Sequence, residues 1–270
     1  MEVKDIIIKR TRKTVIKLFM LGDIHGGTIH CVENHIKDKV KEIAETDNAY
    51  WVGMGDYAEF ITPRDKRFDP SQRAIAEWVK LDNIAENQTK WVVDLFTPIK
   101  DKCWGLLYGN HEDSMRRFNH NNVQQNICDR LEVDNLGFSC FLNLHVHRSK
   151  RSDSRLYKCA LTHGASSAIT EGAKLMALMR WMKDNRADIY AYAHLHDYLM
   201  KVRTEKTVSD AGRIKQRVSI GVTTGSWFRT YTQGIIASYG EMKCYPPTEI
   251  TAAVFTIDPE HDFIDVSRSV

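Results

Sequence analysis

Five short polar clusters carry the residue types that hold cations and move protons. They are Gly22-Asp23-Ile24-His25, Gly55-Asp56-Tyr57, Gly109-Asn110-His111-Glu112, Thr162-His163-Gly164 and Ala193-His194-Leu195-His196. Asp23, His25, Asp56, Asn110, His163, His194 and His196 together offer two carboxylates, four imidazoles and an amide oxygen. A mixed nitrogen and oxygen set without thiolate suits Mn²⁺, Fe, Zn²⁺ or Ni²⁺ and argues against a structural Cys-type zinc site. Seven donors exceed the needs of one small ion. Two ions roughly 3.5–4 Å apart, sharing one carboxylate, would use them all and keep positions open for water and a phosphoryl oxygen. On an extended chain residues i and i+2 point the same way, so Asp23 with His25, and His194 with His196, are each expected to aim at one point beyond a strand end.

Each cluster stands where an apolar run gives out. Residues 15–21 read as a short buried strand ending in Gly22-Asp23, residues 49–54 as one ending in Gly55-Asp56, and residues 103–108 as one ending in Gly109-Asn110. Ile29, Val32, Ile36, Val40 and Ile43 recur at helical steps, with Lys37, Lys39 and Lys41 on the other side. Asp69-Pro70-Ser71 has cap and first-turn chemistry and predicts a helix over about 71–96. Strand and helix in alternation, with polar residues at the strands' carboxyl ends, is the grammar of a layered α/β protein. A polar helix over about 121–131 follows, and then the texture changes to alternation at 138–147, 156–162, 189–193, 199–202, 217–223 and 250–257, which predicts a second sheet stacked on the first. One helix interrupts it, with Leu175, Leu178, Met179 and Met182 as a packing stripe. His145-Val146-His147 is another His-x-His, but it lies mid-strand with no adjacent turn, so it reads as a polar strand face.

In this order and combination the clusters resemble the calcineurin-like metallophosphoesterases, whose signature runs D-x-H, GD, GNH[D/E], H and GHxH. The resemblance covers roughly residues 15–200. It implies a four-layer α/β/β/α sandwich of two mixed sheets flanked by helices, a single domain over 1–270, and a helical insertion over about 60–100. It also implies hydrolysis of a phosphate ester by a metal-bridging hydroxide. By position, Asp23, His25, Asp56 and His196 match the ligands of one metal, and Asp56, Asn110, His163 and His194 those of the other. His111 resembles the family's non-ligand histidine, which assists the leaving oxygen, and Glu112 would orient its ring. The implied cofactor is a pair of divalent ions, Mn²⁺ first, with Fe, Zn²⁺, Ni²⁺ or Mg²⁺ as the other candidates. Ala193 replaces the glycine of GHxH and removes no ligand. The Ser/Thr protein phosphatase branch would carry GDxVDRG where this chain reads Gly55-Asp56-Tyr57-Ala58-Glu59, so that branch loses its support.

Composition narrows the substrate less. The six cysteines are scattered without a CxxC pair, which fits reduced thiols in a cytoplasmic protein. No apolar run approaches the roughly 18 residues of a membrane span, and neither a span nor a signal peptide is expected. The net charge of +3 is segregated into basic stretches at 1–20, 146–160 and 199–217. These stretches, with Trp227, Phe228, Arg229 and Tyr231 as stacking and phosphate contacts and Arg116 beside the histidines, favour a phosphodiesterase or nuclease acting on DNA, RNA or nucleotides. A phosphomonoesterase on nucleotides or small metabolites is the alternative. A catalytically inert binding scaffold is a third reading, though every ligand position is filled.

Overall fold

Residues 1–65, 67–68, 73–148 and 154–270 are described in the computed structural model. Nineteen elements follow in chain order: β1 (Glu2–Lys9), β2 (Ile16–Leu21), α1 (Glu33–Glu45), β3 (Ala49–Gly53), α2 (Ile84–Phe96), β4 (Cys103–Leu107), α3 (Asn110–Asn119), α4 (Val123–Leu131), β5 (Asn135–Gly137), β6 (Ser139–His147), β7 (Ser154–Thr162), α5 (Glu171–Asp184), β8 (Ile189–Tyr192), β9 (Met200–Val208), β10 (Ile214–Thr223), β11 (Gly225–Ser226), α6 (Tyr239–Met242), β12 (Thr251–Asp258) and β13 (Phe263–Ser269).

Two mixed sheets result. One has the order β1-β6-β7-β8-β10-β9, and the other β11-β12-β2-β3-β4-β5, with β13 added beyond β12. The runs that end in the polar clusters are buried because both of their faces are covered. Leu18, Met20, Val52 and Met54 pack from one sheet against Leu142, Leu144, Cys159 and Leu161 of the other. Phe19, Leu21 and Trp51 face outward under Ile36 and Val40 of α1, Val92 and Phe96 of α2 and Ile127 of α4. Leu178 and Met182 of α5 cover Ala160 and Tyr190 on the other sheet. The architecture is thus the expected four-layer α/β/β/α sandwich. Among the described residues no helix is long and apolar enough to cross a membrane.

Three expectations are corrected. The helix foreseen over 71–96 begins only at Ile84, after a 3₁₀ turn at Leu81–Asn83; its proposed cap, Asp69 to Ser71, lies outside the described residues. Tertiary pairing overrides the periodicity. Ile29 N and Thr28 Oγ1 both donate to Ala74 O, Ala76 N donates to Gly27 O, and Ile75 forms a β-bridge with Thr28, so 74–76 is held extended. The α1 stripe likewise starts late, because the backbone at Cys31 and Val32 is tied to Phe228 and Trp227. Lys39 does not lie on a solvent face: it is 3% exposed and donates to Glu42, Ser269 and the carbonyl of Val270.

Candidate metal centre

The predicted donors come from both sheets. Asp23 and His25 follow β2, Asp56 follows β3 and Asn110 opens α3 just after β4, all on the seven-stranded sheet; His163 follows β7, and His194 and His196 follow β8 on the six-stranded sheet. They meet in overlapping groups whose ligand atoms lie within 4.8 Å of one another: Asp23, His25 and His196; His25, Asp56 and His111; Asp56, His163 and His194. Asn110 Oδ1 joins the last group at 3.1 Å from His163 Nε2. Asp56 therefore lies between the other two groups of donors. His145 is remote from this cluster, on the strand face of β6, where its Nε2 meets Asp5 at 3.0 Å.

The backbone brings them together differently from the extended chain expected. Asp23, His25, Asp56, His194 and His196 have φ of 49°, 54°, 53°, 68° and 50°, all in the left-handed region that non-glycine residues seldom adopt. Paired ligands thus converge through left-handed turns beyond the strands. Such torsions cluster at functional sites because surrounding contacts over-determine them. Here Asp23 N donates to Gly55 O, Ile24 N and His25 N donate to Asp56 O, and Trp227 N and Ser226 Oγ donate to Asp23 O. Gly109 is required by proximity, since a Cβ there would lie 2.1 Å from Asp56 Oδ1.

The donor set fits divalent cations. Asp23 Oδ1 and His194 Nδ1 are buried with no hydrogen-bond partner. His25 Nδ1 donates to Glu59 Oε2 at 2.9 Å and His163 Nδ1 to the carbonyl of Met54 at 2.8 Å, so both Nε2 atoms face the cluster. A fixed second nitrogen of this kind is the usual support of a ligating histidine. His25 Nε2 and His196 Nε2 approach to 3.0 Å, and His163 Nε2 lies 3.3 Å from Asp56 Oδ2. Burial and the neighbouring His163 hold His194 down to about 4, and burial lowers His25. Burial opposes ionisation of Asp56, yet the charges of His163 and His111 hold its carboxyl well below the usual range, while Asp56 in turn raises His163 to about 9 against burial.

Four expected roles are not supported by position. Glu112 does not reach the ring of His111: its carboxylate accepts from Asp56 N, Tyr57 N and Gly109 N at 3.0, 2.9 and 2.8 Å and so ties two ligand loops together. The ring is instead oriented by the carbonyl of Glu59, which accepts from His111 Nδ1. Trp227 is fully buried in the core, and alternation along the chain turns its neighbour Phe228 to the cleft instead, 5.4 Å from the His25 ring. Arg229 is exposed outside the cleft lining, and Arg116 is an exposed residue of α3 paired with Asp113. Three residues that the motifs did not single out enter the site. Glu59 supports His25, Arg67 places Nη1 3.1 Å from His111 Nε2 while Asp65 clamps its guanidinium, and His30 lines the cleft. A carboxylate three residues past Asp56 was a visible signal for Glu59; Arg67 sits in an aperiodic polar loop that gave none.

Comparison with known proteins gives the family. The calcineurin-like phosphoesterase model matches residues 16–198. The chain belongs to that family. Its fold is also similar to solved structures at low identity. A metallophosphoesterase from Sphaerobacter thermophilus is 11% identical, with 95% of this chain and 89% of that one covered at a TM-score of 0.41. A predicted phosphoesterase from Streptococcus pneumoniae is 11% identical, with 95% and 99% covered at 0.35, and Vps29 from Chaetomium thermophilum is 13% identical, with 94% of each chain covered at 0.36. No curated protein sequence matches significantly. Membership makes the chain a calcineurin-like metallophosphoesterase-domain protein.

Proposed function

We propose that this metallophosphoesterase hydrolyses phosphodiesters of molecules small enough to enter its cleft. Asp23, His25, Asp56 and His196 would hold one divalent cation and Asp56, Asn110, His163 and His194 a second, Mn²⁺ being the first candidate. The observation that carries the reading is the convergence of all seven candidate donors, of which His25, Asp56, Asn110, His194 and His196 line a cleft of about 980 Å³. When bound, such cations supply Lewis acidity toward water and the phosphoryl oxygens. The chain's own groups do the rest. His111, with Nδ1 committed to Glu59, presents Nε2 to the cleft, where a proton on it can pass to the departing oxygen. A phosphoryl oxygen entering between Arg67 and His111 would accept a hydrogen bond from each.

Two features favour a small diester. The cleft is lined by the loop after β7, at Ser166, Ser167 and Ile169, as well as by segments around Thr28 and Phe228, which gives room for a substituent on either side of phosphorus. Among the described residues, several cations of the basic stretches that suggested nucleic acid lie elsewhere. Arg10, Lys13, Arg155, Arg213 and Lys215 sit where β1 and β6 finish and β7 and β10 begin, about 30 Å from the centre at the 3.3 Å rise of a strand residue. Arg10 and Arg155 are also paired there with Glu260 and Asp262.

After chelation and return of Mn²⁺, bis-p-nitrophenyl phosphate should be cleaved roughly tenfold or more faster than p-nitrophenyl phosphate, a difference of about 1.4 kcal/mol in barrier. Preference for the monoester would instead support the phosphomonoesterase, and no hydrolysis with any divalent ion would support an inert scaffold. Digestion of single-stranded DNA would restore the nuclease reading.

A further inference from the structure

The cleft continues from the metal centre into an arm whose walls are mostly apolar. Ile75, Val79 and Ile84 form one wall, and Phe228, Ile236 and Tyr239 another. At about 980 Å³ the whole cleft is near the upper end of pockets that enclose a drug-sized ligand, roughly 300–1,000 Å³. The arm opens beside Phe228, whose ring lies 5.4 Å from that of His25 and 5.5 Å from that of His30. Whatever fills it is therefore attached to the phosphorus-bearing part of the substrate.

The polar groups along the arm decide what kind of substituent that is. Several of them are spent on bonds within the protein. Thr28 Oγ1 donates to Ala74 O, Ser238 Oγ donates to Thr230 O and accepts from Glu241 N, Thr230 and Thr248 share a hydroxyl contact at 3.3 Å, and Gln88 Oε1 accepts from Phe60 N. His30 is the exception among these. It is 4% exposed and neither ring nitrogen has a partner. Both of its ring nitrogens are enclosed, so a nucleobase or sugar set against the apolar side chains here would leave polar edges unpaired, and each such edge costs roughly ten- to a hundredfold in affinity. A group with long apolar stretches incurs no such cost.

Building on the phosphodiesterase reading, we propose that the substrate carries a predominantly apolar substituent, an acyl, prenyl or aryl group, which lies in this arm against Ile75, Val79, Ile84 and Phe228. The probes are n-alkylphosphonates of one, four and eight carbons, titrated calorimetrically into the metal-loaded protein. Affinity should rise roughly two- to fourfold per methylene, as burial of a CH₂ predicts. Val79→Trp, which fills the arm, should weaken the octyl compound by at least about tenfold and leave the methyl compound within about twofold. Tyr239→Ser, at a half-exposed position, provides a second variant and should flatten the series. Equal affinity along the series, or tighter binding of a nucleoside monophosphate than of the octyl compound, would overturn the proposal. The two readings fail separately: a flat series with bis-p-nitrophenyl phosphate still cleaved removes the apolar arm alone, whereas graded binding without any hydrolysis removes the phosphodiesterase.

Discussion

Glu59 illustrates how a histidine proposed as a ligand depends on a neighbour outside the proposed ligand set. Burial would raise its carboxyl, but His111, His25 and Arg67 hold it down to about 2, so it stays ionised and keeps the His25 Nδ1 proton in place. Glu59→Gln should weaken metal binding about 10- to 100-fold, read by competition with a chromogenic chelator, with turnover recovering at high Mn²⁺. The roles proposed for Asp56 and His111 separate in the same assay. Asp56→Asn should lower the content of both ions together, whereas His111→Ala should keep the metal and depress kcat by about 10²- to 10⁴-fold. Equal metal loss in the two variants would merge roles that are distinguished above. The convergence of the seven candidate side chains was legible in the sequence because short polar clusters after apolar runs are local signals. Arg67 and His30 were not, since each joins the site only through the way distant loops fold back, and Trp227 was named beside Phe228 as a contact because which neighbour faces inward depends on register.

At the scale of elements, the local backbone sets the site as firmly as the side chains do. Gly109→Ala would drive a methyl group into Asp56 Oδ1 and should cost both metal binding and more than about 2 kcal/mol of stability. Gly172, inside α5 with open space around its Cβ position, makes the control. Gly172→Ala should raise stability by roughly 0.5–1 kcal/mol in chemical denaturation, because only helix propensity changes. Strands β2, β3 and β4 were readable because continuous apolar runs report burial on both faces. Three kinds of element escaped. β1 mixes Ile6, Ile7 and Ile8 with charges at an exposed edge, β13 is largely exposed, and α3 starts within the ligand motif itself. The false helix over 73–83 has the opposite cause: apolar spacing there serves the cleft wall and the bridge to Thr28, which a periodic count cannot distinguish from a helix face.

For the whole molecule, the two chemical characters lie at opposite ends of the sandwich. The anionic ligand cluster sits beyond the carboxyl ends of β2, β3, β7 and β8, and the cationic residues of β1, β7 and β10 lie mostly at the other end. Segregated charge in the sequence was real, but strand direction, which no composition reveals, decides what it can touch. Asp23 and Asp56 extend from one β layer and His163, His194 and His196 from the other, so ions held as proposed would fasten the two layers like a clasp. Chelation should therefore lower the melting midpoint, by an amount that grows with the free metal concentration compared against, about 2.7 kcal/mol at a hundredfold excess over Kd. Amide exchange should then quicken first along Leu18, Met20, Leu142 and Leu161, the seam between the sheets, while the amides of α5 keep their protection.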